Sequence, residues 1–389
     1  GTVRAAGDTL HASVQLVEAA SGEIRWSRAF ASTAADAPEI QTAILTGVTD
    51  ALGVDRAGAE RHAGPGTDDR EAYLAYFEGR YQWNRRTPEG MQRGKELIER
   101  ALELDPTWGR AWVGLAETYV TLGGYGMLPA SEAYPRARAA AERALALNEA
   151  DAGAHAVLGS VLTEYYYDWE SAERHYRRAI QLGPGDANAF YWYSEHLAYM
   201  GRFDEAIAMS RRGADLDPLS PVARADEGRA LYYAGRYDAA VEVFDDVLAH
   251  GPDFVAALYK GLALAESGRL DEAVRTLETA QETFGSIPTM NALLAYVHGR
   301  AGRHEDARRI LADLHERYAG GSVQAVDVAA VHLGLGELER ALDWLETAYA
   351  DRNWQMAFLG VEPIFDSLRG HPRFQALIER LDFPPSVKA

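Results

Sequence analysis

The chain has 389 residues, of which 47% are hydrophobic, and a formal net charge of −19. Such an acidic chain disfavours a nucleic-acid partner, because phosphate groups attract basic surfaces. The lack of cysteine excludes disulfides, thiol catalysis and Cys-ligated zinc, and no apolar run approaches the roughly 18 residues of a membrane span.

The N-terminal stretch, residues 1–30, alternates apolar and polar side chains, as at Leu10, Ala12 and Val14. This period of two is typical of half-buried strands. Two turn dipeptides, Gly7-Asp8 and Ser21-Gly22, would close hairpins between three short strands.

A helix is predicted next, with Asp36 as its N-cap and Ile40, Ile44 and Val48 on one face. Residues 1–53 are therefore expected to form a partial α/β segment. The first strand starts abruptly and the chain lacks an initial Met, so we expect the back half of a domain whose front half is missing. The chain would then be a mature form or a fragment of a longer protein.

The remaining chain is predicted to have three parts. Residues 54–67 are rich in glycine and poor in apolar residues, which indicates a linker. Residues 68–350 have helical periodicity and form a repeat array. Residues 351–389 depart from the repeat and are expected to be C-terminal capping helices that cover the apolar face of the last repeat.

A regular spacing of glycine and alanine defines the repeat. The glycines follow one another at a nearly constant spacing of about 34 residues, and an alanine comes five residues after each. The glycines are Gly201, Gly235, Gly268, Gly302 and Gly336. A fixed period of this length indicates an array of helix hairpins.

The cleanest repeat runs from Ala187 to Ser220, with small residues at Ser194 and Ala206 and a proline at Pro218. Small residues at these places let helix A of a repeat approach helix B. This pattern resembles the tetratricopeptide repeat, and it implies a mainly α, right-handed superhelix of about eight hairpins. Later repeats are expected to start near Pro221, Phe254, Pro288 and Ser322.

Three irregular repeats precede the clean one, each with a distinctive turn between its two helices. The predicted turns are Arg85–Gly90, Gly123–Pro129 and Tyr165–Trp169.

The N-terminal segment adds a second resemblance. The stretch from Gly1 to Trp26 is similar to the end of the TolB-like/FlgO-like domain that precedes such arrays, and Val361–Arg369 and His371–Phe374 resemble the arrays' ends. This resemblance implies a bacterial signalling protein. It also implies an upstream DNA-binding, nucleotide cyclase or kinase domain, without indicating which.

No catalytic or cofactor motif is present. The sequence has no His-Glu-x-x-His, Gly-x-Ser-x-Gly or P-loop pattern, and its 11 histidines have no metal-ligand spacing. Paired carboxylates such as Asp204-Glu205 and Asp245-Asp246 are expected to cap the second helix of a repeat. We therefore predict no enzyme activity, cofactor or metal.

A binding surface remains. The A helices of such an array line a concave groove, where tyrosine, tryptophan and arginine supply much of the recognition energy. The predicted partner-binding residues are Tyr73, Tyr76, Arg80, Trp83, Arg110, Glu117, Asn188, Tyr191, Glu195, Tyr199, Arg229, Tyr232, Tyr233, Tyr296 and Arg300. Two interpretations stay open: these tyrosines face a ligand, or they pack between adjacent A helices.

The sequence thus predicts a non-enzymatic scaffold that binds a protein or an extended peptide, Pro-rich or basic, in the groove. Tyr191 and Glu195 stand where chaperone-binding repeats have Lys and Asn, so a clamp for acidic tails is not expected. The alternatives are a self-assembly module that forms homo-oligomers, or the accessory region of an upstream enzyme. The location is open between cytoplasm and periplasm.

Overall fold

The computed structural model describes most of the chain. The described residues are 2–6, 9–18, 21, 23–33, 37–52, 66–85, 87–217, 220–319, 323–384 and 387. The dipeptide Gly7-Asp8, Gly22, Asp36 and most of the predicted linker therefore lie outside them.

The N-terminal segment is a three-stranded antiparallel sheet with one helix. Strands β1 (Thr2–Ala6), β2 (Thr9–Val17) and β3 (Ile24–Thr33) pair in chain order, and α1 is Ala37–Leu52. Helix α1 packs on β3 where Gly47 leaves room for Trp26, since a Cβ at residue 47 would lie 2.3 Å from the indole. The predicted small α/β segment is confirmed.

The rest of the fold is a series of helix hairpins, each with an A and a B helix. Hairpins 1 to 4 are α2 (Arg70–Asn84) with α3 (Pro88–Leu104), α4 (Gly109–Gly124) with α5 (Ala130–Leu147), α6 (Ala152–Val161) with α7 (Trp169–Leu182), and α8 (Ala187–Tyr199) with α9 (Phe203–Leu216). Hairpins 5 to 8 are α10 (Pro221–Tyr233) with α11 (Tyr237–His250), α12 (Phe254–Glu266) with α13 (Leu270–Phe284), α14 (Pro288–Arg300) with α15 (His304–Ala319), and α16 (Ala325–Gly334) with α17 (Leu338–Ala350).

Local chemistry explains the repeat. Each spacing glycine follows an A helix with a left-handed backbone, as at Gly201 (φ 70°) and Gly336 (φ 75°), where glycine avoids the Cβ clash. The small residues allow the helices to touch: Ser194 Oγ donates to the carbonyl of Ala206 at 2.8 Å, and Ala206 is fully buried. The mainly α fold class of the sequence analysis is confirmed.

Several local predictions need correction. Helix α3 already begins at Pro88 and α4 extends to Gly124, so the first two turns are shorter than expected. Residues Leu162–Tyr166 form a π-helical turn that continues α6. Asp204-Glu205 does lie in the first turn of α9, but Asp245-Asp246 lies well inside α11 and caps nothing.

The C-terminal segment contains two 3₁₀ turns, Trp354–Phe358 and Pro363–Leu368, followed by α18 (Pro372–Arg380). The predicted apolar face of α18 is buried, with Phe374 and Leu377 each 1% exposed. Backbone contacts divide the chain into two compact units, Gly1–Thr118 and Tyr119–Ala389, and the boundary falls within α4.

Candidate functional site

The predicted partner-binding residues all lie on A helices. Six are in the first unit, on α2 and α4, and nine are in the second unit, on α8, α10 and α14. Each unit is therefore considered by itself.

In the first unit, an ion pair joins the two A helices. Arg80 on α2 donates to Glu117 on α4, and its guanidinium carbon lies 4.4 Å from the centre of the Trp83 ring. The side chains of Arg80 and Glu117 are 25% and 17% exposed, so this pair is partly shielded from water. The Arg80–Glu117 ion pair and the Trp83 ring therefore lie next to each other on these A helices.

Arg110 is exposed beside this pair. Its guanidinium carbon lies 5.9 Å from the ring centre of Tyr76 and 5.4 Å from that of Phe77. Within the described part of the chain it forms no ion pair with a carboxylate. A guanidinium that rests on aromatic rings and has no carboxylate partner can bind an incoming acceptor through its remaining N–H groups.

Tyr73 and Tyr76 themselves are packing residues. They are 3% and 4% exposed and lie 6.3 Å and 4.8 Å from the ring of Trp108. Gly114 on α4 makes room for Tyr76, because a Cβ there would come within 2.7 Å of the ring. For this pair the contacts match the packing interpretation.

In the second unit, ion pairs again join residues of consecutive A helices. Arg229 on α10 pairs with Glu195 on α8 and lies 3.0 Å from Asp226. Arg300 on α14 lies 2.5 Å from Glu266 on α12. The partners in the Arg229–Glu195 and Arg300–Glu266 pairs stand one repeat length apart in the sequence, so equivalent or nearly equivalent positions of successive repeats carry opposite charges.

Tyrosines extend these pairs. The hydroxyl of Tyr296 donates to Glu266 at 2.7 Å, and that of Tyr199 donates to Glu195 at 3.2 Å. These charges on the A helices are therefore matched inside the protein.

Two of the predicted residues on α8, Tyr191 and Asn188, take no part in these contacts between A helices. Tyr191 donates its hydroxyl to the carbonyl of Gly213 at 3.2 Å, on helix α9 of its own hairpin. Gly213 is required there, because a Cβ would lie 2.2 Å from the Tyr191 ring. Asn188, in contrast, is exposed in the first turn of α8.

The C-terminal segment covers the remaining tyrosines. We call residues 352–383 the strap. The strap residue Phe358 lies 5.7 Å from Tyr199 and 6.3 Å from Tyr233, measured between ring centres. Tyr232 donates its hydroxyl to Glu362, also in the strap.

These three tyrosines are at most 5% exposed. The sequence analysis expected the C-terminal segment to cover the apolar face of the last repeat. It also occupies the A-helix surface of repeats 4 and 5, so that part of the predicted groove is filled by the chain itself.

Two titratable groups of the second unit, Glu164 and His196, lie among packed side chains. Glu164 accepts hydrogen bonds from Ser160 Oγ at 2.5 Å and from the Tyr134 hydroxyl at 2.7 Å, and burial raises its pKa to about 7. Burial lowers the pKa of His196 to about 4. Its ring lies among those of Trp169, Tyr176 and Tyr193.

Two wider searches cover the described residues only. No group of three or more His, Asp or Glu could hold a metal ion there. None of the helices described is long and apolar enough to cross a membrane.

Comparison with known proteins agrees with the hairpin fold. A family model of the tetratricopeptide repeat matches residues 168–221, 225–286 and 260–322. Transcriptional regulator HilA of Salmonella typhimurium is 23% identical over 229 residues, which are 58% of this chain and 41% of HilA. The chain thus spans about two fifths of the length of this curated relative.

Two solved structures are similar over most of the chain. The human IFIT1 dimer with PPP-AAAA has a TM-score of 0.51 at 14% identity and is covered over 72% of each chain. Yeast Tom70 has a TM-score of 0.50 at 14% identity, covering 80% of this chain and 68% of that one. At this identity the likeness concerns the fold alone. The TolB-like/FlgO-like resemblance of the N-terminal segment stays a prediction.

Proposed function

This chain contains an array of tetratricopeptide repeats, and on that premise we propose that it is a non-catalytic scaffold that binds an extended segment of a partner protein. The tetratricopeptide fold supports a protein–protein interaction scaffold, and proteins with these repeats are generally not enzymes. The finer proposal is where the partner binds: on helices α2 and α4 of the first unit.

The exposed guanidinium of Arg110 carries this proposal. It lies on the rings of Tyr76 and Phe77 and forms no ion pair within the described residues. The neighbouring pair of Arg80 with Glu117 is partly open to water. On α8 and α10, in contrast, the strap already covers the tyrosines. Backbone carbonyls or a carboxylate of an extended segment would suit the remaining N–H donors of Arg110.

The test is binding of the full chain to an array of short extended peptides of varied charge. The variant Arg110→Ala should bind the peptides that the wild type binds about tenfold more weakly, a loss of ~1.4 kcal/mol in binding free energy. The reason is that an arginine packed on aromatic rings is a typical hot spot. The control is Arg178→Ala, an exposed arginine on α7 in the other unit. Equal affinity of the wild type and Arg110→Ala for every peptide would reject this binding site.

The finer functional proposal is a regulatory role in bacterial signalling. It is supported by the similarity to a transcriptional regulator and by the resemblance of the N-terminal segment to a domain of signalling proteins. The check is the coding sequence upstream of residue 1. A DNA-binding, cyclase or kinase domain there would support the role, and an unrelated enzyme would support the accessory-region alternative instead.

Self-assembly is the second candidate. The ten-residue strand β3 pairs with β2 on one side only within the described residues, which leaves a strand edge able to pair with another chain. Light scattering over a concentration series tests it. A mass that stays at one chain at high concentration rules it out.

A further inference from the structure

Three non-glycine residues have a left-handed backbone in the described chain, and all three lie where the strap meets repeat 3. They are Tyr167 (φ 55°), Arg352 (φ 54°) and Asp382 (φ 51°). Tyr167 comes one repeat length before Gly201, so a tyrosine stands where the later repeats have glycine. Bulky residues persist in this conformation only when surrounding contacts hold them.

At the start of the strap, side-chain contacts explain why residue 167 is a tyrosine and not a glycine. Arg352 donates from Nη1 to the carbonyl of Tyr165 at 3.2 Å, and its guanidinium lies 5.6 Å and 6.0 Å from the rings of Tyr165 and Tyr167. Tyr167 in turn donates its hydroxyl to the carbonyl of Asn353 at 3.3 Å. A glycine at residue 167 would relieve the backbone, but the hydroxyl bond to Asn353 and the ring contact with Arg352 would be lost.

At the end of the strap there is a second set of contacts with the same repeat. Trp169 Nε1 donates to the carbonyl of Leu381 at 3.0 Å. The ring of Trp169 also stacks on Phe383 with 4.8 Å between centres, and Asp382 lies between these two strap residues in the chain. The π-helical turn Leu162–Tyr166 comes just before, and such turns are frequent at functional sites.

The strap is held to repeat 8 independently of these contacts. Arg373 on α18 pairs with Glu339, Asp343 and Glu346 on α17, at 2.7 to 2.9 Å. His371 also lies 3.1 Å from Glu339. These ion pairs would keep the strap on repeat 8 if its contacts with repeat 3 broke.

We propose that the contact of Tyr165, Tyr167 and Trp169 with the two ends of the strap is a releasable closure, which uncovers the A helices of repeats 4 and 5 for a partner segment. This inference rests on the scaffold function proposed above and adds a second, gated binding surface.

The strap indicates what the uncovered surface accepts. Phe358 lies by Tyr199 and Tyr233, and four residues later Glu362 accepts from Tyr232. The partner segment has the same chemistry: an aromatic side chain followed four residues later by a carboxyl group. Binding it in place of the strap keeps the tyrosine hydroxyl paired and the aromatic rings covered.

The chain contains no cysteine, so a pair of spin labels can report the closure directly. Labels at Glu170→Cys on α7 and Ala376→Cys on α18 occupy exposed positions on its two sides. In the wild-type background we expect one narrow distance distribution. Tyr167→Gly, Trp169→Phe and Arg352→Ala should each add a population at longer distance.

The matched control is Trp112→Phe. Trp112 Nε1 also donates to a backbone carbonyl at 3.0 Å, that of Pro106, but in the other unit. Arg352→Ala removes an exposed side chain, so it tests the closure even if the Trp169 variant unfolds.

The second readout uses a synthetic peptide with the sequence of residues 352–383 as the probe. The three closure variants should bind it at least tenfold more tightly than the wild type and the Trp112→Phe control, and the bound peptide should lengthen the label distance. One narrow distance and no peptide binding in all folded variants would overturn the proposal. Arg110→Ala should leave the label distance and the binding of this peptide unchanged. The closure proposal can therefore be rejected without rejecting the binding site at Arg110, and the reverse also holds.

Discussion

At the scale of single residues, charge is neutralised inside the protein and small residues make room for rings. Glu362 is an exception to the first rule, since its carboxyl is buried with a tyrosine hydroxyl as its side-chain partner. Burial raises its pKa to about 8, and the nearby Glu266 and Asp366 also favour the protonated form. A pKa in this range favours the uncharged carboxyl at pH 7.

The first prediction concerns Glu362→Gln. The folded pKa lies above the usual value of 4.5, so the stabilisation is complete below about pH 4.5 and is lost progressively as the pH rises from there through about 8. The amide stays neutral and can still accept from Tyr232. Above pH 8 the variant should be more stable than the wild type by on the order of a few kcal/mol, with little difference near pH 5.

Urea unfolding between pH 5 and pH 9 measures this effect. The control is Glu170→Gln, whose side chain is 89% exposed and which should follow the wild-type curve. Parallel curves for Glu362→Gln and the wild type would show that Glu362 is ionised in the folded protein.

The second prediction concerns Gly213. A Cβ there would lie 2.2 Å from the Tyr191 ring, which is itself bonded to the Gly213 carbonyl. Gly213→Ala should lower the free energy of unfolding by about 1–3 kcal/mol, because the ring must move out of a packed site. Gly185→Ala is the matched control, since a Cβ there meets nothing within 4 Å. Equal thermal stability of the two variants would contradict this account of Tyr191.

At the scale of elements, side-chain caps determine where several A helices begin. Asp253 is the N-cap of α12, and its carboxylate accepts from the amide of Ala256 at 2.8 Å. Asp151 caps α6 in the same way through the amide of Ala154. These residues satisfy amides that the helix itself leaves free.

The third prediction follows from this cap. Asp253→Ala should destabilise the second unit by about 0.5–2 kcal/mol, the usual effect of losing an N-cap. Glu282→Ala, an exposed change within α13, is the control and should have almost no effect. The measurement is chemical unfolding followed by circular dichroism. A loss no greater than that of the control would mean that packing alone sets the start of α12.

At the scale of the second unit, the strap changes how a repeat array is stabilised. Repeats usually contact only their neighbours, so an array can unfold piece by piece. Here Arg352 and Tyr165 are 187 residues apart in sequence, and Leu381 and Trp169 are 212 apart. These contacts connect repeat 3 to repeat 8 and should make the second unit unfold cooperatively.

The fourth prediction tests this with a chain that ends at Asp351. Removing the strap exposes Tyr199, Tyr232 and Tyr233, which are at most 5% exposed in the full chain. We expect a lower melting temperature, a broadened or split urea transition and binding of a hydrophobic dye. A chain that ends at Val387 is the control and should resemble the full chain. A single sharp transition in the strap-less chain would show that the repeats alone are cooperative.

The sequence by itself determined the elements whose causes are local. Helices α8, α10, α12 and α14 begin at Ala187, Pro221, Phe254 and Pro288, where the spacing of glycine and alanine placed them. Glycine permits a left-handed turn and alanine permits close helix contact wherever they stand in the chain, so their spacing is visible in sequence alone.

Only the tertiary structure decided what covers the A helices. Whether Tyr191 faces outward depends on the space above Gly213, and whether Tyr232 faces a groove depends on Glu362, 130 residues away. Neither contact is marked in the sequence by a periodic spacing or a local motif. The aromatic run Tyr165–Tyr167 was visible in the sequence, but its partner Arg352 was not. Contacts between distant residues follow from how the hairpins stack, so the binding surface could be proposed from sequence while its closure by the strap could not.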